Sequence, residues 1–470
     1  MRRIASFLAL ALSATVLSGV AQAQDKPVDR SRWYDGTTQT SDDLRRFTVP
    51  KGFAEPAGAI VIRNARLFDG TGAAARPAAI LIVGSHIARI AGTEAELAAP
   101  KDAQIIDAGN KTVMPGLIDL HTHLTYMQRQ GVPEVFGEDS QADAALRGAE
   151  RLRYFVESGI TSVRDVGSHG VAPFILKNKV YTGEIPGPRI FAAGQLIVGI
   201  GGHGTETFSM HTSPTWPDAE LIEATGPDAW RAAVRLQFKR GADLIKLASH
   251  FSPDEVKAAI EEAHLLGLRV TADSETIYTQ MAVEAGIDCI EHPLPRSDET
   301  IRLMAKKGTY SDITLVPYQY VNAMGGYIFS TSRRFTESDA ANFAMAKKLK
   351  AAGVKLGIGT DLTFGLYRNL PGPYIQELHN FETLGYSPVE ALVIATKTNS
   401  EILGMSDRLG TVETGKLADL IFVDGKPDQS VDDLRRIEMV IVNGRVIVRD
   451  GRLYIPRHRE ETLTMPASMH

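Results

Sequence analysis

Residues 113–124, VMPGLIDLHTHL, decide how the rest of the chain is read. A short apolar run ends in His121-x-His123. Side chains two apart in a strand point to the same side, so both imidazoles can reach one metal from the end of such a strand. A His-x-His pair alone is a common accident, and its weight comes from the rest of the chain. Seven more apolar runs recur downstream: ITSVRDVG, RIFAAGQLI, DLIKLAS, RVTADS, CIEHP, YSDITLVP and KLGIGTD. Between them lie helix-patterned stretches such as DAALRGAERLRYFVESG and PDEVKAAIEEAHLLG, several closing on Gly as helix C-termini favour. Eight strand-like runs with intervening helices, over about residues 113–405, predict an α/β chain built on a closed parallel (β/α)8 TIM barrel rather than an open sheet.

Outward from the barrel the texture changes. Residues 56–112 hold β-rich runs broken by turn signals, GAIVIRNARLFDG, AAILIVGSHIARIAG and AQIIDAGNKTVMPG. The same texture returns within 406–455, as LGTVETGKLADLIFVDG and IEMVIVNGRVIVRDGRL. Strands on both flanks of a long middle predict one small β-sandwich domain assembled from the N- and C-terminal segments. Residues 24–55 read as a polar surface arm and residues 456–470 as a tail.

The first residues, Met1-Arg2-Arg3, precede the apolar run IASFLALALSATVLSGV and the small-x-small triplet Ala21-Gln22-Ala23. This is the pattern of a secretory signal peptide over residues 1–23, with cleavage after Ala23. The alternative is a membrane anchor, but the run is slightly short for a span and carries the cleavage signature. The expected location is therefore periplasmic, with no membrane partner once the signal is removed. Hydrophobic residues make up 44% and charged residues 23%, as in an ordinary globular enzyme. A formal net charge of −5 gives no basic footprint for nucleic acid. The single cysteine, Cys289, excludes an internal disulfide.

In a barrel of this kind functional side chains sit at the C-terminal ends of the strands. The first strand ends in His121 and His123, the fourth in Lys246, the fifth in Asp273, the sixth in Glu291-His292 and the eighth in Asp361. Each has an ordinary reading taken singly. His292 could be a satisfied core histidine, Lys246 a snorkelling lysine, Asp361 a helix cap. Together, three histidines and a carboxylate are a good donor set for a divalent transition metal.

The motifs VMPGLIDLHTHL, IKLAS, AGIDCIEHP, GIGTD and LGTVETGKLADLIFVDG together resemble the amidohydrolase superfamily. The nearer likeness is to its imidazolonepropionase-like branch, which includes exported dipeptidases that cleave Xaa-Pro bonds. The resemblance spans roughly residues 57–455. It implies that His121, His123 and Asp361 hold one metal and His292 a second. It also implies that Lys246, carboxylated by carbon dioxide, bridges the pair as a carbamate. The expected cofactor is Zn2+, as one or two divalent metals, activating water for attack on an amide carbonyl. Asp361 would take the proton from that water and pass it to the leaving nitrogen.

One position departs from the family pattern. The fifth strand usually supplies a histidine to the second metal, and here Asp273 stands in its place. Asp273 can ligate, or the second site can be weak, or activity can be lost; Glu275 is a substitute if the strand end is shifted. In the third loop, VGIGGHGTETF, His203 matches a histidine that commonly lines the site in this branch. It is expected to polarise the substrate carbonyl or bind a carboxylate, unless it faces solvent. GGHG lacks the lysine and spacing of a phosphate loop. His250 is a second candidate substrate contact, with Tyr126, Arg129, Tyr278 and Tyr318 behind it. His86, His169, His264 and His379 read as structural or surface residues.

The expected function is hydrolysis of C–N bonds in small amides or peptides, dipeptidase-like. The alternatives are a cyclic amide or lactone hydrolase, or a catalytically silent homologue that binds a metal or ligand. The expected partner is a small amide or peptide substrate, and a homo-oligomer is left open.

Overall fold

Residues 58–126, 140–203, 221–323, 338–362 and 366–454 are described by the computed structural model. The expected signal peptide, the arm, Arg129 and the tail lie outside the described residues.

The first flank supplies β1 (Ala59–Leu67), β2 (Arg76–Val83), β3 (His86–Ala91), β4 (Gln104–Asp107) and β5 (Thr112–Pro115). The middle supplies β6 (Leu117–Thr122), β7 (Ile160–Asp165), β8 (Arg189–Ala192), β9 (Leu196–Gly199) and β10 (Leu221–Ala224). It continues with β11 (Leu244–Ala248), β12 (Arg269–Asp273), β13 (Cys289–Glu291), β14 (Tyr310–Asp312) and β15 (Leu356–Gly357). The second flank adds β16 (Leu420–Val423), β17 (Ile437–Val442), β18 (Arg445–Arg449) and β19 (Arg452–Leu453).

The two flanks meet in one hydrogen-bonded sheet, in the order β19-β18-β17-β16-β5-β1-β2-β3 with β4 on β1. The junction is β5, parallel to β1 and antiparallel to β16, where Val113 faces both Leu67 and Phe422. Thr112–Pro115 therefore belong to this sheet, and the middle begins at Leu117, a few residues later than the sequence reading placed it. The sheet is continuous through its backbone bonds rather than split into two separately bonded layers. Alternation in β16 decides what each face does: Leu420 and Phe422 enter the sheet's own apolar cluster with Ile62, Ile80 and Val113. Ile421 and Val423 point the other way and join the large core of the middle, with Phe155 and Trp230. Burying both faces of one strand ties the flanks to the middle by the hydrophobic effect, at about 1.5–3 kcal/mol per large side chain.

Gly116 makes the crossing between the two parts. A Cβ there would fall 2.0 Å from Thr161 Oγ1, so only glycine passes. Its N–H donates to Asp419 O at 2.9 Å.

In the middle, β9-β11-β12-β13-β14-β15 pair parallel in that order, and β6-β7-β8 form a second parallel set. Leu120 N donates to Ile358 O at 3.1 Å and Asp361 N to His121 O at 2.8 Å, joining the last strand's extension to β6. Asp243 N donates to Ala192 O at 2.9 Å, linking the third run to the fourth. The run RIFAAGQLI reads as one strand in sequence but is interrupted by Gly194, at φ 80°, into β8 and β9.

The intervening helices have local causes. Pro253–Leu265 starts with a capping box: Ser252 Oγ accepts from Glu255 N, and Glu255 Oε2 accepts from Ser252 N at 2.7 Å. Pro227–Arg240 stops at Gly241, whose φ of 103° a side-chain-bearing residue would resist. Among the described residues no helix is long and apolar enough to cross a membrane.

Candidate active site

The residues picked from strand ends lie where the parallel strands finish. His121 and Thr122 close β6, Lys246 lies in β11, Asp273 closes β12, Glu291 closes β13 and Asp312 closes β14. His292 follows β13 directly and Asp361 lies shortly past β15, beyond Ile358, Gly359 and Thr360, and both have left-handed backbones, φ 65° and 45°. Such conformations cost about 1–3 kcal/mol each for non-glycine residues and cluster at functional sites. Here they turn each side chain off its strand axis at the strand mouth.

Two groups of donors result. In the first, Asp361 Oδ1 lies 3.2 Å from His123 Nε2 and 3.6 Å from His121 Nε2. One ligand atom from each of the three residues falls within 4.8 Å of the others, close enough for one cation. In the second, Asp273 Oδ2 lies 3.3 Å from His292 Nε2 and 3.3 Å from His203 Nε2. The groups adjoin, because the His121 and His292 rings are 4.8 Å apart.

The outer nitrogens of the ligand histidines are held. His123 Nδ1 is 3.0 Å from Gly167 O, and His292 Nδ1 is 2.7 Å from Thr314 Oγ1. His121 Nδ1 is 2.8 Å from Glu291 Oε2. Such partners fix ring orientation and leave Nε2 facing the centre. Glu291 is itself held by Arg164, 2.7 Å from its Oε1, and Arg164 also reaches Asp312 Oδ2 at 3.3 Å. All three are buried.

Electrostatics suit a cation. Burial, followed by the charge of Lys246, pushes His121 down to about 3, so its imidazole is neutral near neutral pH. Burial opposes ionisation of Asp361, but His121 and His123 outweigh it and hold the carboxyl below the usual range. Burial likewise works against Glu291, and Arg164 and Lys246 hold it ionised. Lys246 is 3% exposed and its Nζ has no hydrogen-bond partner. A buried ammonium without a partner is costly, and the same atom as a carbamate would be an anionic ligand.

The structure thus brings together His121, His123 and Asp361, and separately His203, Asp273 and His292, with Lys246 acting electrostatically on His121 and His123. Asp273, and not Glu275, meets the histidines; Glu275 instead accepts from Ser249 Oγ at 3.2 Å. His250 is exposed and packs against Tyr278, ring centroids 4.8 Å apart. Tyr126 stacks on His123 at 4.1 Å, and Tyr318 is buried with its ring 5.8 Å from that of His292. His169, His264 and His379 face Thr125, Asp288 and Glu382 in local contacts. Sequence reasoning gave no role to Arg164, Glu291 or Asp312. The available signal was charge inside apolar strand runs, which rarely survives burial unpaired.

A cluster of histidines and carboxylates at the C-terminal mouths of parallel strands defines a metal-assisted hydrolytic centre as a class. Comparison with known proteins narrows the class. The family model described as "Amidohydrolase family" matches residues 112–447, more than half of the chain. An imidazolonepropionase of Geobacillus sp. (strain WCH70) is 26% identical over 395 residues, covering 75% of this chain and 84% of the relative. An ochratoxinase of Aspergillus niger is 27% identical over 435 residues, covering 83% and 86%. The crystal structure of a Xaa-Pro dipeptidase with bound methionine in its active site aligns with a TM-score of 0.72 at 26% identity, covering 83% of this chain and 99% of that one. The chain belongs to the amidohydrolase family. It is an enzyme, a hydrolase acting on carbon–nitrogen bonds, of a family that generally binds divalent metals.

Proposed function

We propose that the eight parallel runs, counting β8 and β9 as one, close into a (β/α)8 barrel that carries a composite β domain built from both flanks. The bonds from Leu120 to Ile358 and from Asp243 to Ala192 support closure on both sides. On this scaffold the chain acts as an exported dipeptidase-like hydrolase of small amides and peptides. The signal-like residues 1–23 support export, and N-terminal sequencing of the secreted form should begin at Gln24.

The carrying observation is the convergence of His121, His123 and Asp361 beside the unpartnered Nζ of Lys246. The donor types match a zinc-like divalent cation, and a carbamate on Lys246 would complete the set. When bound, the cation supplies Lewis acidity that makes water a nucleophile near neutral pH and polarises the scissile carbonyl. Asp361, kept ionised between His121 and His123, accepts the proton from that water. It then delivers the proton to the departing nitrogen, so that cleavage gives an amine rather than an amide anion. His121 is held in one orientation by Glu291, and His123 by Gly167 O, so neither ring turns away during the reaction. His250, exposed and packed against Tyr278, is our candidate for meeting the outer part of a substrate.

The solved Xaa-Pro dipeptidase supports a dipeptide substrate with a C-terminal proline as the first choice. The relatives named imidazolonepropionase support a second reading, in which a cyclic amide is opened. A panel of Xaa-Pro dipeptides, other dipeptides, N-acyl amino acids and cyclic amides separates the two. Release of free proline supports the first reading; turnover of cyclic amides alone replaces it with the second. No turnover of any member in zinc-loaded, bicarbonate-treated protein would remove both readings of the substrate.

A further inference from the structure

We infer that Arg151, backed by Tyr367, is a positioning residue for His123: it gathers the backbone carbonyls of the turn that follows the histidine and so sets where the imidazole meets the cation. The inference rests on reading the His121, His123 and Asp361 group as a cation site.

β6 ends at Thr122, and the chain then turns at the strand mouth over residues 123–126, where Tyr126 N donates to His123 O at 3.4 Å. Two guanidiniums collect the four carbonyls of this turn. Arg151 Nη1 donates to Leu124 O at 2.8 Å and to His123 O at 3.3 Å, and its Nη2 donates to Tyr126 O at 2.7 Å. Arg147 donates to Thr125 O through Nε at 3.1 Å and Nη2 at 2.7 Å. The two arginines lie four residues apart in the helix Gln141–Glu157 and so share one face of it. A guanidinium carries five N–H donors in a rigid fork, which lets one side chain meet three carbonyls. A lysine ammonium offers a point charge on a flexible stem instead.

Tyr367 completes the hold. It comes from the short turn Leu366–Asn369, six residues past Asp361. Its Oη donates to His123 O at 2.6 Å, and the Arg151 guanidinium lies over its ring, Cζ 4.4 Å from the centroid. The chain downstream of Asp361 is thereby tied to the backbone of His123, whose Nε2 lies 3.2 Å from Asp361 Oδ1.

The ring of His123 is fixed from two further directions. Tyr126, carried by the same turn, stacks on it with centroids 4.1 Å apart and planes 14° from parallel. Gly167 O lies 3.0 Å from its Nδ1, and a Cβ on Gly167 would fall 2.8 Å from Tyr126 Oη, so a bare backbone is needed there. The imidazole is held through its own carbonyl, its face and its Nδ1, which leaves Nε2 for the cation. Arg151 and Tyr367 are both buried. Burying a guanidinium costs desolvation, and here its donors are directed at the turn that bears the ligand.

The test is zinc affinity by competition with a chelating dye, read at the cation whose binding His123→Ala weakens, together with the absorption spectrum of cobalt-loaded protein. Urea unfolding is run in parallel. The variants are Arg151→Met, Arg151→Lys, Tyr367→Phe and the surface control Arg153→Met, which lies on the same helix and pairs with Glu157. Arg151→Met should bind zinc about 10–100-fold more weakly, with a changed cobalt spectrum. Arg151→Lys should recover part of that loss, and Tyr367→Phe should weaken binding about 2–10-fold, as one lost hydrogen bond would. Arg153→Met should match wild type. In a His123→Ala background Arg151→Met should cost no further affinity, because it acts through that imidazole. Folded Arg151→Met with wild-type affinity and spectrum would overturn the inference, whatever its stability. An equal loss of affinity with and without His123 would overturn it too. If Arg151→Met does not fold, Tyr367→Phe decides, and wild-type affinity and spectrum in that variant overturn the inference. No bound cation in wild type would remove the cation site and the inference with it, whereas a bound cation indifferent to these variants removes the inference alone.

Discussion

Glu291 Oε2 lies 2.8 Å from His121 Nδ1 while Arg164 lies 2.7 Å from Glu291 Oε1, so a ligand histidine is oriented by a carboxylate that is itself held by a buried guanidinium. Asp312 takes the same Arg164 from the next strand at 3.3 Å. Breaking this set at different points separates stability from metal affinity.

Removing the cation of the set should cost stability. In Arg164→Met the buried Glu291 and Asp312 face one another without their shared guanidinium, and the loss should be about 3–5 kcal/mol. Urea unfolding measures it. A loss below about 1 kcal/mol would show that the carboxylates find other partners.

Glu291→Gln keeps the shape and removes the charge behind His121. Zinc affinity should fall about 10–100-fold, the typical cost of losing such a partner. The fall should appear in competition with a chelating dye, with the folded state retained. Unchanged affinity would mean that His121 is oriented by its packing alone.

Gly359 lets the last strand pass His121 closely: a Cβ there would fall 2.4 Å from Asp312 Oδ2 and 2.7 Å from His121 Cβ. Gly359→Ala should therefore displace His121, costing about 1–3 kcal/mol in stability. The first cation should bind more weakly as well. A variant with wild-type metal affinity would show that the strand yields without moving the ligand.

Glu377 sets a pH signature away from the metal group. Burial raises its carboxyl from the ordinary 4.5 to about 7, against hydrogen bonds from Leu315 N and Val316 N. The folded protein therefore keeps a proton that the unfolded chain has released. This contribution to stability is fully present below the ordinary value and is lost as pH rises through about 7. Glu377→Gln should be less stable throughout, since an amide offers one acceptor to two N–H groups, yet fall less steeply than wild type between pH 5 and 8. Parallel stability curves would contradict the assignment.

Much of the scaffold was legible because local pattern and global fold agree. Alternating β-branched runs and Gly-terminated helices mark the strands of the middle, and β-rich flanks mark the composite sheet. The break at Gly194 was hidden, since RIFAAGQLI is apolar throughout and a left-handed glycine leaves no trace in periodicity. The shift of Val113–Pro115 into the terminal sheet was hidden for a related reason. VMPGLIDL reads as one run, and only the contact of Gly116 with Thr161 divides it.

The site was legible where chemistry sits on strand ends, as with His121, His123, Asp273, His292 and Asp361. It was not legible where partners come from strands whose neighbours the sequence cannot specify, as with Arg164, Glu291 and Asp312. His203 was legible as a residue of the site, but its contact was not. Its neighbour, Asp273, is 70 positions away, and the two meet only because Gly199 and Gly202 settle on the backbone of Ser249 and His250.

The central claim is that hydrolysis depends on a cation held by His121, His123 and Asp361. Chelator-treated protein, freed of metal and returned to zinc in bicarbonate, tests it through the rate on its best substrate against zinc added. The account predicts no turnover without metal, recovery as zinc fills the site, and no recovery in His121→Ala or Asp361→Asn. The loss in Asp361→Asn should be about 10²–10⁴-fold or more, since the proton acceptor goes with the ligand. Full turnover by protein shown to contain no metal, or a fully active His121→Ala, would contradict it.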